Sequence, residues 1–539
     1  MKKTSILILL PLLILFGCKK SFLDINQNPN QPTTVTPNVV LSAALAGSAN
    51  NVGTDYLRVN NLMGFWSRSG NYVPDAQTES YNIPNAYTNG EWANLYNTLN
   101  RYDYIEKQGH LNNQPFYVGV AKTMKALHFS TLVDIYNDVP YSAAFDVAGN
   151  VQPKYDHGQD IYNDLIKQLD SAVIYFDAAK KIYTAPGASS SVLKTDDQYD
   201  IMFGKGKGGS SSSSASARMD KWVAFANTLK LKLLLHEYRI IAPATVTSEI
   251  ALINANGRGY IGAGASASIN PGYALSSNQL SPFVGNFQTA TGGPSNNAAY
   301  YRANNYAINF YLSTGDERQL SFYVPVSGYT VSGNFDGDPN SVPNSSTSAI
   351  GGGYGGTIKS PAQDQLILTD FESLFIQAEA TERGWLPGGD AAARNLDSLA
   401  VTQNFIYLDP NMGATTSITG DNAIDAADAA VYLSGAGLGP AVTAPQYVNW
   451  DAATNKIQFI LTQKWAALNG INWVESWTDY RRTGFPSSDV LGLSHALTHV
   501  QPKIPIRYLY PQTELNANAA NVPPLTTADL FNTPIFWAK

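Results

Sequence analysis

Paired stripes of apolar residues at helical spacing constrain this chain more than any other feature. From Glu91, the residues Trp92, Leu95, Tyr96 and Leu99 recur on one face until Gly109. A second stripe runs from Gln114 through Val120, Met124, Leu127, Phe129, Val133 and Tyr136, and the two predict an αα-hairpin. Pro153-Lys154-Tyr155-Asp156 reads as the opening of a helix striped by Ile161, Leu165, Leu169, Ala172, Val173 and Phe176. Its partner carries Trp222, Phe225, Ala226, Leu229 and Leu233, beyond a Gly/Lys/Ser loop at 204–217. Stripes resume at Phe371, Leu374, Phe375 and Ala378, at 391–405, and at Ile457, Ile460, Leu461, Trp465 and Leu468. A last helix, Trp473 to Arg482, stops on arginines in its final turn, Gly484 as cap and Pro486 beyond. The expectation is a mainly α fold: a tetratricopeptide-like scaffold of stacked helix pairs without a strict 34-residue period. Residues 38–539 then form a single domain, with helical pairs mainly at 90–257 and 369–482 and irregular insertions at about 258–368 and 406–452.

The insertions read differently. In 258–368 Gly, Asn, Ser and Tyr dominate, and a few short strands are expected, such as Phe322 to Val326. Asn61 to Tyr87 is an aromatic loop broken by Gly64, Gly70, Pro74 and Pro84. Charged residues make up 14% of the chain, against about 25% in ordinary soluble domains, while tyrosine alone numbers 31. The formal charge of −7 argues against a nucleic-acid-binding face. A surface poor in charge and rich in Tyr, Trp, Asn and Gln suits neutral polar ligands such as sugars, by stacking on rings and bonding to amides. Any single tyrosine is more often a packed ring with a wet hydroxyl. The ligand-contact candidates are Trp66, Tyr72 and Tyr81 in the first loop and Tyr300, Tyr301 and Tyr354 in the insertion.

The N-terminus predicts location. Met1-Lys2-Lys3 precedes an apolar run from Ile6 to Phe16, which falls short of the roughly 20 residues a membrane-spanning helix needs. Cys18, the only cysteine, follows Gly17 and resembles the acylated residue of a bacterial lipobox, with Phe16 larger than usual at its position. Residues 1–17 are then a lipoprotein signal peptide and 18–37 a lipid-anchored, proline-punctuated stalk. A lone thiol excludes an intrachain disulfide, so stability must come from the core. No later segment reads as a transmembrane span.

Other motifs weigh less. Gly204-x-Gly206-x-x-Gly209 matches a dinucleotide-binding pattern but lacks the strand and helix around it, and Gly351 to Gly356 lacks the Gly-Lys-Ser/Thr of a phosphate loop. Asp336-x-Asp338-x-Asn340 offers oxygens at calcium-loop spacing, yet Ser341 and Thr347 stand at the sixth and twelfth positions, so only a looser structural calcium site is left. His495 and His499 lack a third ligand nearby in sequence and read as solvated. No nucleophile elbow, His-Glu-x-x-His or catalytic cysteine is present, so no catalytic residue is assigned and no cofactor is expected. Paired carboxylates for glycoside hydrolysis meet only in space.

Several segments resemble the SusD/RagB family of outer-membrane nutrient-binding lipoproteins of the Bacteroidota, in its second, SusD-like branch. They are Phe22-Leu23-Asp24-Ile25-Asn26 with Asn28-Pro29, Leu132 to Tyr141, Pro153 to Asp156 with Ile161-Tyr162, Trp222 to Leu231, Gln463-Lys464-Trp465, Glu475 to Pro486, and Ile504 to Pro511 with Glu514 and Asn518. Asn137 stands where relatives often have Gly, and only Asp24 supplies an acid close behind Cys18. The resemblance implies a helical scaffold with a less regular ligand-binding half. It implies a surface-exposed, lipid-anchored protein that captures an oligosaccharide or other nutrient without chemistry. That protein passes its ligand to a SusC-like TonB-dependent β-barrel transporter as a lid. A glycan hydrolase and a structural subunit that binds no ligand are the competing readings. Arg481, Arg482 and Arg507 are expected to satisfy helix ends and carboxylates such as Glu475, Asp479 or Glu514 rather than ligand.

Overall fold

The structure, a computed structural model, describes residues 35–146, 148–186, 196–207, 214–351, 356–409, 426–436 and 441–539. Cys18, the expected signal segment and all but the end of the expected stalk lie outside them, as does Tyr354. The stalk's end is tied down: the Val35 backbone exchanges bonds of 3.0 and 2.6 Å with the Tyr104 hydroxyl.

Helices of ten residues or more are α1 Pro37–Thr54, α2 Asn89–Leu111, α3 Pro115–Tyr136, α4 Gly158–Thr184, α5 Ala215–His236, α6 Pro243–Asn256, α7 Asn305–Thr314, α8 Asp370–Glu382, α9 Gly389–Leu408, α10 Lys456–Ala467 and α11 Trp473–Thr483. The chain is mainly helical, as expected. Neighbours pack in chain order: α1 on α2, α2 on α3, α3 on α4, α4 on α5. In the second block α8 packs on both α9 and α10, and α5 touches α8 and joins the blocks. Nearly every residue of α3 from Phe116 to Tyr136 is buried, which explains its apolar run. Helix starts follow local capping chemistry: Ser214, Thr369, Asn455 and Asn472 each accept a backbone N–H three residues on. Thr36 stands at the cap position of α1 but makes no side-chain cap. Among the described residues no helix is long and apolar enough to cross a membrane.

Strands are few. β1 Trp66–Arg68 pairs antiparallel with β3 Tyr301–Ala303, and β2 Ala267–Ile269 with β4 Gln365–Leu368. The strand expected over Phe322 to Val326 does not form. Gln319–Phe322 is a helical turn, and Tyr323 makes only an isolated bridge to Ile350. The insertion also holds α7, which its Gly- and Asn-rich surroundings concealed. Asn304 caps it by accepting from Tyr306 N, and Gly315 closes it at φ 65°.

The segments that carry the resemblance meet in space. Pro153 to Asp156 does not open α4; instead Asp156 bridges Val139, and its carboxylate accepts the Tyr141 and Ser142 amides at 2.9 Å. Tyr155 donates to Glu514 (2.9 Å), and Asn518 Nδ2 donates to the Pro153 carbonyl (2.8 Å). The C-terminal carbonyls of α3, orphaned by geometry, are taken up there. Arg481 donates to the Asp134 carbonyl, Tyr508 N to Ile135 (3.1 Å) and Arg507 to Tyr136. Asn137 then turns the chain at φ 73°, a positive φ that glycine adopts freely.

Candidate functional site

Two loops more than two hundred residues apart become one unit through the β1–β3 ribbon. Trp66 faces Ala303 in register, Ser67 faces Arg302 and Arg68 faces Tyr301; Ser69 N extends the ladder to Tyr300 O at 2.8 Å. A buried Arg68–Glu79 ion pair (2.7 Å) pins the far side of the first loop. On the insertion side Arg302 Nε reaches Asn344 Oδ1 at 2.8 Å, and Asn344 N donates to Asn71 Oδ1 at 2.7 Å.

This ribbon gathers four of the six predicted aromatics into a continuous stack of ring contacts. Trp66 meets Tyr301 at 5.1 Å, Tyr301 meets Tyr300 edge-on at 5.1 Å, and Tyr300 meets Tyr72 edge-on at 5.2 Å. Such pairs add roughly 0.5–1.5 kcal/mol each beyond area burial. The stack is graded in depth. Trp66 is fully enclosed and Tyr301 is 6% exposed, whereas Tyr300 and Tyr72 are half-buried.

Three of the expected contact residues are thereby corrected. Trp66 and Tyr301 are interior support, with Trp66 also packed on Phe287 at 5.5 Å. Tyr81, 2% exposed, is held by Ser494 N donating to its hydroxyl (2.7 Å) and by the His499 ring at 5.2 Å. Of the candidates among the described residues, Tyr72 and Tyr300 are the two that are half-exposed.

Sequence reasoning missed Arg58. Its Nη1 donates to Tyr300 Oη and its Nη2 to Thr78 Oγ1, both at 2.7 Å, while its guanidinium lies 5.6 Å from the Tyr300 ring centre. Asp75 adds a longer contact at 3.9 Å. Burial pushes the Tyr300 phenol up, and Arg58 opposes that shift. The signal was available: Arg58 and Arg68 are the only charged side chains between Asp55 and Asp75. The arrangement supplies an aromatic edge, a fixed cation and the Asn71 and Asn344 amides. Groups of these kinds are the ones that stack on and hydrogen-bond polyhydroxylated ligands.

The calcium-loop residues do not act together. Buried Asp336 accepts from Asn61 Nδ2 (2.7 Å) and the Arg68 backbone, and burial pushes its carboxyl up. Asp338 Oδ1 accepts its own loop's Asn340 N (2.8 Å), and Asn340 is exposed. No group of three or more His, Cys, Asp and Glu among the described residues is placed to hold a metal ion. His495 stacks on Phe335 at 3.9 Å, and His499 bonds Ser494, so the two do not form a pair.

A groove of about 510 Å³ on the helical side, between α2, α3 and α4, has a different character. Several of its charges are paired, Lys122 with Glu106 (2.8 Å) and Lys125 with Glu106 (3.1 Å), and the Tyr141 hydroxyl donates to Asp164.

The sequence matches the SusD-like family described as "Starch-binding associating with outer membrane" over residues 29–511. A SusD homologue from Bacteroides uniformis aligns at TM-score 0.65 and 20% identity, over 93% of this chain and 99% of that one. A SusD/RagB family protein from Bacteroides thetaiotaomicron aligns at TM-score 0.67 and 18% identity, over 94% and 99%. A chitin-binding SusD homologue from Flavobacterium johnsoniae aligns at 0.64 and 18%, over 89% and 94%. At these identities the likeness is one of fold. No curated protein sequence matches the chain.

Proposed function

The chain belongs to the SusD-like family associated with the outer membrane, and from that premise we propose that it is a nutrient-binding lipoprotein, anchored through Cys18, that captures an uncharged oligosaccharide. It passes this ligand to a SusC-like TonB-dependent β-barrel. The observation that carries the reading is the Tyr72–Tyr300 pair: half-exposed, set edge-on at 5.2 Å, backed by buried rings and flanked by Arg58. A sugar's apolar face stacks on such rings, and its hydroxyls bond Arg58 and the loop amides. The outward face of the loops gathers the ligand, and the helical blocks hold the loops in register.

The family's description and the chitin-binding relative supply two probes, maltoheptaose and hexa-N-acetylchitohexaose. Calorimetric titration of the mature chain should show affinity for one of them. Tyr72→Ala with Tyr300→Ala should weaken it at least tenfold while the chain stays folded, with Tm lowered only by the loss of the ring contacts and of the Arg58 bond. Unchanged affinity would remove the pair from the site. No oligosaccharide cleavage is expected on prolonged incubation.

A further inference from the structure

Arg302 brings a second guanidinium to the β1–β3 ribbon, and its outer end is unused. Successive strand residues point to opposite faces, so Tyr300 and Arg302 share one face while Tyr301 and Ala303, both buried, take the other. Arg302 is 6% exposed, and its Nε donates to Asn344 Oδ1 at 2.8 Å. Among the described residues its Nη1 and Nη2 have no hydrogen-bond partner, and neither nitrogen is sealed from solvent. Arg58 and Arg68 each face a carboxylate, Asp75 at 3.9 Å and Glu79 at 2.7 Å, but Arg302 pairs with none among the described residues. Burial pushes its guanidinium down from the ordinary value, and the Tyr72 phenol is near enough to oppose that shift. Water satisfies the two amino ends in the free protein, so a ligand that displaces this water must offer acceptors in its place.

The fork is held in place before any ligand arrives. Gly70 N donates to Val342 O at 3.0 Å, and a Cβ on Gly70 would collide with the Ser341 carbonyl, so the first loop and the insertion touch directly. Asn344 N donates to Asn71 Oδ1 at 2.7 Å, one residue before Tyr72, while Asn344 Oδ1 holds the guanidinium through Nε. Arg58, Arg68 and Arg302 stand among Asp75, Glu79, Asp336 and Asp338. The neighbourhood therefore holds no excess of positive charge, and a neutral ligand suits it better than an anion.

We propose that Arg302 determines specificity at the platform: its Nη1 and Nη2 donate side by side to two adjacent hydroxyls of the sugar ring stacked on Tyr72. The assignment rests on the reading of the Tyr72–Tyr300 pair as a sugar platform. A guanidinium fork bonds two oxygens in one plane, which a point charge such as an ammonium does not. Neighbouring ring hydroxyls present such a pair. A hexose linked through C1 and C4 keeps free hydroxyls on C2 and C3. A 2-acetamido sugar has lost the first of these, and a unit linked through C3 has lost the second. The ligand class is thereby narrowed to neutral glycans whose inner units carry a free pair of adjacent hydroxyls.

Calorimetric titration of the mature chain with maltoheptaose, cellohexaose, laminarihexaose and hexa-N-acetylchitohexaose tests this. One of the first two, which carry the hydroxyl pair, should bind at least tenfold more tightly than the last two, which lack it in their inner units. Arg302→Lys keeps a charge without the fork and should remove most of that preference, with affinity for the preferred sugar falling about tenfold. A merely structural role would weaken every sugar alike and leave the ratio where it was. That result, or an unchanged affinity, would overturn the role of Arg302 and leave the platform, which Tyr72→Ala with Tyr300→Ala tests by itself. Preference of the native chain for laminarihexaose or the chitin oligomer would likewise overturn the fork alone. Tighter binding of an oligogalacturonate than of all four, weakened by added salt, would replace the hydroxyl pair by an anion and overturn the neutral ligand as well. Native protein that binds none of the sugars would overturn both readings.

Discussion

Asp55 shows how far a single side chain here departs from its solution behaviour. It is 6% exposed, its Oδ1 accepts from Asn94 at 3.1 Å, and its Oδ2 has no partner among the described residues. Burial pushes the carboxyl up from 3.8 to about 7. It borders a cavity of about 70 Å³ shared with His128, Lys232 and Glu475, where burial also lowers the His128 imidazole to about 3 and keeps it neutral. The sign follows from linkage. The folded chain holds the Asp55 proton more tightly than the unfolded chain does. That contribution is fully present below pH 3.8 and is lost as pH rises through about 7. Asp55→Asn has no such proton to lose. In urea titrations its stability relative to the native chain should improve by on the order of 3 kcal/mol between pH 4.5 and 7.5. A pH-independent difference would mean that Asp55 is ionised in the fold. None of this is visible in the sequence, because the burial of Asp55 just past the end of α1 is set by residues far along the chain, Trp473 among them. The same blindness explains the aromatics. Trp66, Tyr72 and Tyr81 share one irregular loop, and only Tyr301 and Ser494, brought in from far along the chain, decide which rings are sealed.

At the level of elements, local periodicity carried most of the information. Helices α2 to α5 and α8 to α11 appear where their stripes lie, and α11 ends as its arginines and glycine predict, with Gly484 at φ 87°. Their partners were less legible. Arg482 pairs with the expected Asp479 (2.6 Å), but also with Glu379 on α8 (2.5 Å), a residue with no sequence link to it. Arg481 and Arg507 serve backbone carbonyls at the end of α3, the helix-end part of what was expected of them, with no carboxylate partner among the described residues. These pairs belong to a buried chain of charge across α5, α8, α10 and α11. Lys464 meets Glu475 at 2.6 Å and Asp479 at 2.9 Å, and Lys232 meets Glu475 at 2.7 Å and Glu372 at 3.0 Å. Burial opposes ionisation of Glu475, yet Lys232 and Lys464 hold its carboxyl well below the usual carboxylate range. A buried ion pair adds little net stability against an apolar replacement, but removing one partner strands the other. Lys464→Met, which keeps the stem and deletes the charge, should therefore destabilise by about 3–5 kcal/mol, read as a lowered denaturant midpoint. A loss under about 1 kcal/mol would show that Lys232 and Arg482 suffice to balance Glu475 and Asp479.

Across the whole molecule, polarity is divided. The helical blocks spend their charges on one another, as in the Glu106–Lys122–Lys125 groove, while the Tyr72–Tyr300 face presents rings and amides around the guanidinium of Arg58. A low overall charge content therefore marks the loop side more than the scaffold, which is why composition pointed to a neutral ligand before any residue could be assigned. Delivery is the step that composition does not reach. Under the proposed function the protein works at a membrane and beside a barrel, so two properties of the full chain should fail together or hold together. Cys18→Ser should move it from the membrane to the soluble fraction. The native chain, extracted from its own outer membrane in mild detergent, should co-purify with a large β-barrel at about equal stoichiometry, and co-purification should survive Tyr72→Ala with Tyr300→Ala, because ligand capture and docking use different groups. Recovery of acylated protein alone would leave a membrane-tethered binder and remove the lid. Loss of the barrel on mutating the two tyrosines would instead place the platform inside the docking surface.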